Sequence, residues 1–247
     1  MSEETATPDN SFFKLRCWRS SREEHEFIHN IYSANFLTPR ERRTLGVYHS
    51  ATYLHLHATL SHHKKILDQV ERIDGERDEE ARAHLFVGLE SECEAVVREG
   101  WSVLDSLAHE INLVCWKQAG RKDLYHPYVQ EKKISFYMVR QKMLASEKLR
   151  NSTVCQLLDR ETRNTKTRAE SYMLLSNFAM RALHRPLLLG CRLQRKGSLE
   201  LLLTESEGLP QDKAFNLQDV NILSALEQIQ EWLEKFIDQV YLALSAK

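Results

Sequence analysis

The sequence predicts an all-α protein, a helical bundle with one short β-hairpin appended, on three observations. Its 247 residues include only 8 glycines and 5 prolines, so few positions break the chain. Apolar residues recur at three- and four-residue spacing over long stretches, which is the period of an amphipathic helix. Residues 187–205 instead form two apolar runs around Gly197, a pattern typical of a β-hairpin.

Six helical stretches are expected from this spacing and from the positions of proline, glycine and capping residues. They run over about 20–35, 40–72, 77–119, 131–158, 165–184 and 217–245. Asn216 followed by Asp219 resembles a cap for the last helix. Residues 1–11 are polar and acidic and are expected to be disordered, which leaves residues 12–247 as a single helical domain.

Two stretches are expected to carry the core. In the third stretch one stripe is widened by a second set of apolar residues, which indicates a central helix buried on most of its circumference: Val97, Trp101, Leu104, Ala108, Ile111 and Cys115, with Val96, Val103, Leu107 and Val114. The last stretch has a single long stripe: Ile222, Leu226, Ile229, Leu233, Phe236, Val240 and Leu244. Beside the first stripe lies a polar seam of Asp105, His109, Asn112 and Trp116, which is either a site or a hydrogen-bonded helix border.

Charge is segregated along the chain although the net charge is −1. Residues 132–196 hold 15 Lys and Arg against 4 Asp and Glu, whereas 197–247 hold 3 against 9. The first segment is therefore suited to a phosphate-rich partner, with these candidate nucleic-acid-binding residues: Lys148, Arg150, Arg160, Arg163, Lys166 and Arg168.

Five scattered cysteines without a C-x-x-C pair indicate neither a disulfide framework nor a zinc ribbon. The chain shows no signal-peptide pattern and no apolar run long enough for a membrane span. We therefore expect a cytoplasmic protein with no membrane contact. Nucleotide-binding glycine motifs and the G-x-S-x-G motif of hydrolases are absent, and no cofactor is expected.

Histidines offer a second possibility. His25 and His29 in "HEFIH" match the H-E-x-x-H pattern of zinc proteases. The segment is short, and no third histidine follows at the expected spacing, so a solvated helix face is the preferred interpretation. His55 and His62 share one face of the second stretch but lie two turns apart, too far to ligate one ion. We expect them to be partly buried and hydrogen-bonded.

Arg181, His184 and Arg185 form the candidate catalytic cluster at the end of the fifth stretch. Arginine is suited to hold phosphate oxygens, and histidine transfers protons near neutral pH. Together they suffice for metal-free RNA cleavage, in which the 2′-hydroxyl attacks its own phosphate. Asp105, His109 and Asn112 are candidates to support this cluster from behind, without contacting the RNA themselves. The alternative is that the cations only complement the dipole of the helix C-terminus.

The segments "LDSLAHEIN" and "ALHRPL", together with the order of parts over about residues 45–245, resemble a bacterial branch of the HEPN superfamily. The resemblance implies a frequently dimeric helical bundle and metal-independent endoribonuclease activity of toxin or phage-defence systems; other members are non-catalytic scaffolds. His184-Arg185 resembles the end of the superfamily motif. The motif arginine, expected with four to six residues between it and the histidine, is absent, because Asn177, Phe178 and Ala179 stand there.

Two hypotheses follow. The first is a HEPN-like protein that binds RNA or another phosphate-rich partner, with nuclease activity weak or lost. The second is a non-catalytic subunit that assembles with itself or a protein partner, in which the acidic last helix pairs with the basic segment inside one molecule.

Overall fold

The computed structural model describes residues 26–32, 36–163, 170–184, 191–196, 198–203 and 220–245. It confirms an all-α fold with a small β-sheet. The elements are α1 (Pro39–Gly75), α2 (Glu79–Gln118), α3 (Phe136–Ala145), α4 (Thr153–Thr162), α5 (Glu170–His184), β1 (Cys191–Lys196), β2 (Ser198–Leu203), β3 (Val220–Asn221) and α6 (Ile222–Ser245). A π-helical segment, Ile28–Tyr32, precedes α1, and a 3-10 turn, Glu131–Lys133, precedes α3.

Helices α1 and α2 form a long antiparallel hairpin. Helix α1 starts with a capping box, since the Thr38 hydroxyl accepts from the Glu41 N–H and the Glu41 carboxylate accepts from the Thr38 N–H at 2.7 Å. Asp78 caps α2 by accepting from the Ala81 N–H at 2.8 Å. At about 1.5 Å per residue, each helix spans roughly 55–60 Å. The two ends of the hairpin therefore lie far apart. The near end is where α1 begins and α2 ends, and the far end is where α1 ends and α2 begins.

Helix α2 is central, as its broad apolar arc predicts, and contacts α1, α3, α5 and α6. All predicted members of its arc are buried except Trp101, which is partly buried. A Cβ at Gly100 would lie 3.3 Å from Leu233 Cδ1 and 3.4 Å from Leu175 Cδ1. The glycine therefore lets α5 and α6 approach α2 closely. The predicted stripe of α6 is also buried throughout.

Two predicted boundaries are wrong. The stretch 131–158 is not one helix: α3 ends at Ala145 and α4 begins at Thr153, where the Ser152 hydroxyl accepts from the Cys155 N–H at 3.3 Å. The last helix begins at Ile222, because Asn221 Oδ1 accepts from the Leu223 N–H at 3.0 Å. Asn216 and Asp219, the predicted cap, lie outside the described residues.

The predicted β-hairpin is confirmed. Strands β1 and β2 pair antiparallel, with Arg195 opposite Leu199 and Cys191 opposite Leu203. β3 adds a short third strand, pairing Leu202 with Asn221. Gly197 lies outside the described residues. Within the described ranges, no helix has both the length and the apolar content needed to cross a bilayer.

A buried polar network joins α1, α2 and α6. Glu110 is 0% exposed, and its carboxylate accepts from the Thr52 hydroxyl at 2.6 Å and the Tyr241 hydroxyl at 3.0 Å. His49 Nδ1 lies 3.1 Å from the same carboxylate. Each oxygen of this carboxylate has partners, so the network is a satisfied structural element of the core.

Candidate nucleic-acid interface

The functional candidate begins where α2 ends. Gly120 adopts φ +74°, and the Arg121 N–H donates to the Trp116 carbonyl at 2.7 Å. This is the geometry of a glycine-terminated helix. Arg121 and Asp123 follow with φ 65° and 69°, a conformation unfavourable for side chains other than glycine. We call residues 119–135 the basic loop.

The polar seam of α2 holds this loop in place. Asn112 is fully buried, and its side chain donates to the Tyr125 carbonyl at 2.9 Å and accepts from the Tyr125 N–H at 3.1 Å. About two turns earlier, Asp105 accepts from the Phe136 N–H at 3.2 Å. Burial raises the pKa of Asp105, although the Phe136 N–H favours the charged form. The two side chains therefore anchor the middle and the end of the loop.

A third anchor lies between them. The Tyr48 ring stacks on His109 with ring centroids 4.4 Å apart, and its hydroxyl donates to Glu131 at 2.9 Å. Burial lowers the pKa of His109, and Glu131 opposes this only in part. Its imidazole is thus neutral at pH 7. His109 Nδ1 and the Tyr128 hydroxyl are buried without a hydrogen-bond partner among the described residues.

Glu41 neutralises the start of the loop. Its carboxylate accepts from Lys117 at 2.8 Å and from Arg121 at 3.4 Å. Burial by itself raises the pKa of Glu41, but the hydrogen bonds from Lys117 and Thr38 outweigh it and the pKa is lowered. The carboxylate is therefore charged at neutral pH and fully engaged.

Cationic side chains pack on aromatic rings in the loop and on the helices beside it. Arg40 lies over the Tyr128 ring at 4.2 Å and Lys142 over the Tyr125 ring at 5.4 Å. Arg121 and His126 both pack against Trp116, at 5.6 and 5.1 Å from its ring centre. Such contacts hold positive charge at the surface without neutralising it.

The remaining cations of the region form no ion pair with an acid in the part of the chain that the structure describes. The turn 146–152 contacts the basic loop through the Ser146 hydroxyl, which donates to Asp123 at 3.0 Å. Loop and turn together carry five exposed cations that form no ion pair with the residues the structure describes, and we call them the basic surface: Lys122, Lys132, Lys133, Lys148 and Arg150. Val129, which is 79% exposed, lies on the basic loop, and Tyr137, which is 54% exposed, lies in the first turn of α3 directly after it.

The predicted nucleic-acid-binding residues divide into three groups. Lys148 and Arg150 lie on the basic surface. Arg160 contacts Glu161 at 2.8 Å and Gln239 at 3.0 Å, and Arg163 contacts Asp159 at 3.0 Å, so their charge is largely compensated within the molecule. Lys166 and Arg168 lie outside the described residues.

The predicted catalytic cluster is not described at the level of side chains. Arg181 and His184 belong to the last turn of α5, but their side chains, like the whole of Arg185, lie outside the described residues. Three residues were expected to support this cluster. Asp105 and Asn112 form hydrogen bonds with the loop backbone, and His109 stacks on Tyr48. A role for them beside His184 stays a prediction.

The histidines have other partners than metal. His55 lies 2.6 Å from Glu99, and His62 bonds Glu92, which confirms that they are partly buried and satisfied. His29 is exposed, and His25 lies outside the described residues. Within the described part of the chain, no group of three or more ligand side chains is placed to hold a metal ion.

The chain matches no family model, no curated protein and no solved structure.

Sequence reasoning missed the loop itself. The run "RKDLYHPYVQEKK" (121–133) interleaves cations with aromatic residues, which is a pattern of nucleic-acid-binding segments. The basic segment was counted from residue 132 onwards, so it included only Lys132 and Lys133 of the cations in this run.

Proposed function

We propose that this protein binds single-stranded RNA through the basic surface. One observation supports this most: five exposed cations on a firmly anchored loop and turn make no described ion pair. Lysine and arginine side chains that face no acid can contact RNA phosphates, and each such contact releases condensed counterions from the RNA, which favours binding. Exposed rings such as Tyr137 offer stacking surfaces that accept any base.

The basic loop is held in one conformation before any ligand binds. Asn112, Asp105 and Tyr48 fix the loop through the contacts described above, so ordering it on binding costs little entropy. Arg121 and Asp123, whose φ angles are positive, are held by other contacts: Arg121 donates to Glu41 at 3.4 Å and Asp123 accepts from the Ser146 hydroxyl at 3.0 Å. Backbone strain of this kind clusters at binding and active sites, where the strained conformation is part of the function.

The test is a salt titration of RNA affinity by fluorescence anisotropy. Replacing Lys122, Lys132 and Lys133 by Gln removes three charges and should lower the slope of log K against log salt by about 2, at roughly 0.7 per phosphate contact. The matched control replaces Arg72, Arg77 and Arg82 by Gln. These are exposed cations at the other end of the hairpin, also without a described ion pair. Equal loss in both triple variants would overturn the proposal.

Nuclease activity is a further part of the HEPN-like proposal, with His184 as acid and base and Arg181 and Arg185 as phosphate-holding groups. The purified protein is incubated with RNA in excess EDTA, and the ends are sequenced. Cyclic-phosphate ends that disappear in His184→Ala support a metal-independent endoribonuclease. Intact RNA that is still retained at low salt identifies a non-catalytic binding protein.

The second candidate, a self-associating or partner-binding subunit, is favoured by a different surface. Val47 and Leu54 are 62% and 65% exposed on α1, and with the half-buried Ala51 and Ala58 they follow the four-three spacing of a coiled-coil seam. Light scattering tests it: Val47→Glu with Leu54→Glu should convert an oligomer to a monomer, whereas Val87→Glu, at an equally exposed valine of α2, should not.

A further inference from the structure

His109 lies beside the basic loop in a position that suits its neutral form. The Tyr48 ring covers the imidazole, with the two ring centroids 4.4 Å apart. Nδ1 of His109 is buried and has no hydrogen-bond partner among the described residues. A neutral imidazole that carries its proton on Nε2 places only a lone pair at this buried nitrogen. The protonated form carries an N–H at both nitrogens, so that its Nδ1–H would be buried without an acceptor.

Tyr48 connects this imidazole to the loop. The Tyr48 hydroxyl donates to Glu131 at 2.9 Å, and Glu131 belongs to the 3-10 turn near the end of the basic loop. Burial and this hydrogen bond raise the pKa of Tyr48, so the hydroxyl keeps its proton and remains a donor between pH 5 and pH 7. Hydrating a charged His109 requires the residues around its ring to move, and Tyr48, stacked on that ring, is one of them. Such a movement breaks the bond between Tyr48 and Glu131.

The titratable groups around His109 come from α1, α2 and the basic loop: Tyr48, Asp105, Glu110, Tyr128 and Glu131. Burial lowers the pKa of His109, and the charge of Glu131 opposes this only in part. Glu110 is engaged by the Thr52 and Tyr241 hydroxyls. Asp105 acts in the opposite sense, because burial raises its pKa and acid therefore favours the folded form at that carboxyl.

We propose that His109 is a pH-sensitive switch for the basic loop: its protonation releases the loop from Tyr48, and its deprotonation lets the loop close again. In the closed loop the pKa of His109 lies below the ordinary value of 6.5, whereas in the released loop the imidazole is hydrated and returns to that value. At pH 7 and above both forms are mainly neutral, and the loop is closed. As pH falls below 6.5, the released form takes up one proton more, so the ratio of closed to released loop falls by up to about tenfold per pH unit.

Hydrogen exchange of the full-length protein at pH 7 and pH 5 tests the switch. Protection factors, which correct for the intrinsic effect of pH on exchange, are compared for the amides of Gln130 and Lys133, which donate to loop carbonyls at 2.9 and 2.8 Å. In the wild type we expect these factors to fall by about tenfold from pH 7 to pH 5. His109→Phe keeps a stacked ring that cannot be protonated, so its factors should not change. The matched control, His84→Phe at an exposed histidine of α2, should behave like the wild type.

The proposal is overturned if the wild-type protection factors do not change with pH, or if they change equally in His109→Phe. A pH dependence that disappears in Asp105→Asn and persists in His109→Phe assigns the effect to Asp105 and also overturns it. No RNA is present in these measurements, so the switch stands or falls separately from RNA binding at the basic surface.

A direct titration of His109 by NMR in the wild type decides the question if His109→Phe does not fold. A midpoint below pH 6.5 that coincides with the loss of loop protection supports the switch. A midpoint at or above that value, or a loop that stays protected while His109 becomes charged, overturns it.

Discussion

Charged side chains are paired differently at the two ends of the α1–α2 hairpin. Towards the far end, acids and bases meet across the helix pair: His55 with Glu99, His62 with Glu92, and Lys65 with Glu92 at 3.5 Å. At the near end Glu41 is already occupied by Lys117 and Arg121, and the cations of the basic surface are left over. Arg72, Arg77 and Arg82 at the far end are also exposed without an ion pair among the described residues, so unpaired charge alone does not distinguish the near end. The near end differs because its cations lie on an anchored loop beside aromatic rings.

A second contrast is burial. The two histidine–glutamate pairs towards the far end are partly exposed, with side-chain exposures of 20–36%, whereas Glu110 beneath the near end is 0% exposed. A histidine–carboxylate contact is therefore expected to contribute more to the free energy of unfolding where it is buried, at Glu110, than where it is partly exposed, at Glu92 and Glu99.

The largest predicted effect tests this contrast. Glu110→Ala leaves Thr52, Tyr241 and His49 without their common acceptor and should lower the free energy of unfolding by about 3–5 kcal/mol. Glu92→Ala at the far end should lower it by no more than about 1 kcal/mol. Urea denaturation followed by circular dichroism measures both. Glu110→Gln keeps one acceptor oxygen and should fall between them; equal losses at the two ends would refute the contrast.

The next prediction concerns the anchor of the basic loop. Asn112→Ala leaves the buried N–H and carbonyl of Tyr125 unpaired and should lower stability by about 1–3 kcal/mol. It should also speed amide exchange at residues 119–130 and weaken RNA binding, because the loop is no longer preorganised. Ser106→Ala, on the same helix, is the control. Loss of stability with loop exchange unchanged would show that Asn112 does not anchor the loop.

Asp105 gives a smaller effect of opposite sign. Burial raises its folded pKa above the ordinary value of 3.8, so the folded state binds more protons than the unfolded state, and stability is lost as pH rises through that window. Asp105→Asn keeps an acceptor for the Phe136 N–H and carries no charge. It should raise Tm at pH 7 and converge with the wild type near pH 4; a Tm difference independent of pH would contradict this.

Thiol labelling compares the two ends with the least perturbation. Cys93 and Cys115 are both buried on α2, and burial together with Cys155 raises the pKa of Cys115 to about 12. Neither should react with iodoacetamide at pH 8 in the native protein, because thiolate is the reactive form. In low urea Cys93 should react first, since α1 and α2 pack mainly on each other towards the far end. Peptide mass spectrometry measures this, and simultaneous reaction would indicate a single cooperative unit.

Local pattern was enough for much of the fold. The three- and four-residue spacing of α2 and α6 reports directly on which side chains face a core, and the two apolar runs around Gly197 indicate a hairpin. The break between α3 and α4 was missed because apolar residues such as Leu144 and Leu149 continue the helical spacing across it. Only Ser146 and Ser152, in capping positions, show where the chain turns.

The sequence by itself determined the all-α class, the central position of α2, the buried stripe of α6 and the presence of unevenly distributed charge. The tertiary structure decided which of those charged side chains form ion pairs with other described residues. Arg163 is paired within one helix turn, but Lys117 meets an acid 76 residues away and Arg160 an amide 79 residues away. Periodicity is a property of neighbouring residues, whereas charge pairing and loop anchoring depend on contacts between distant segments, which form only when the helices pack.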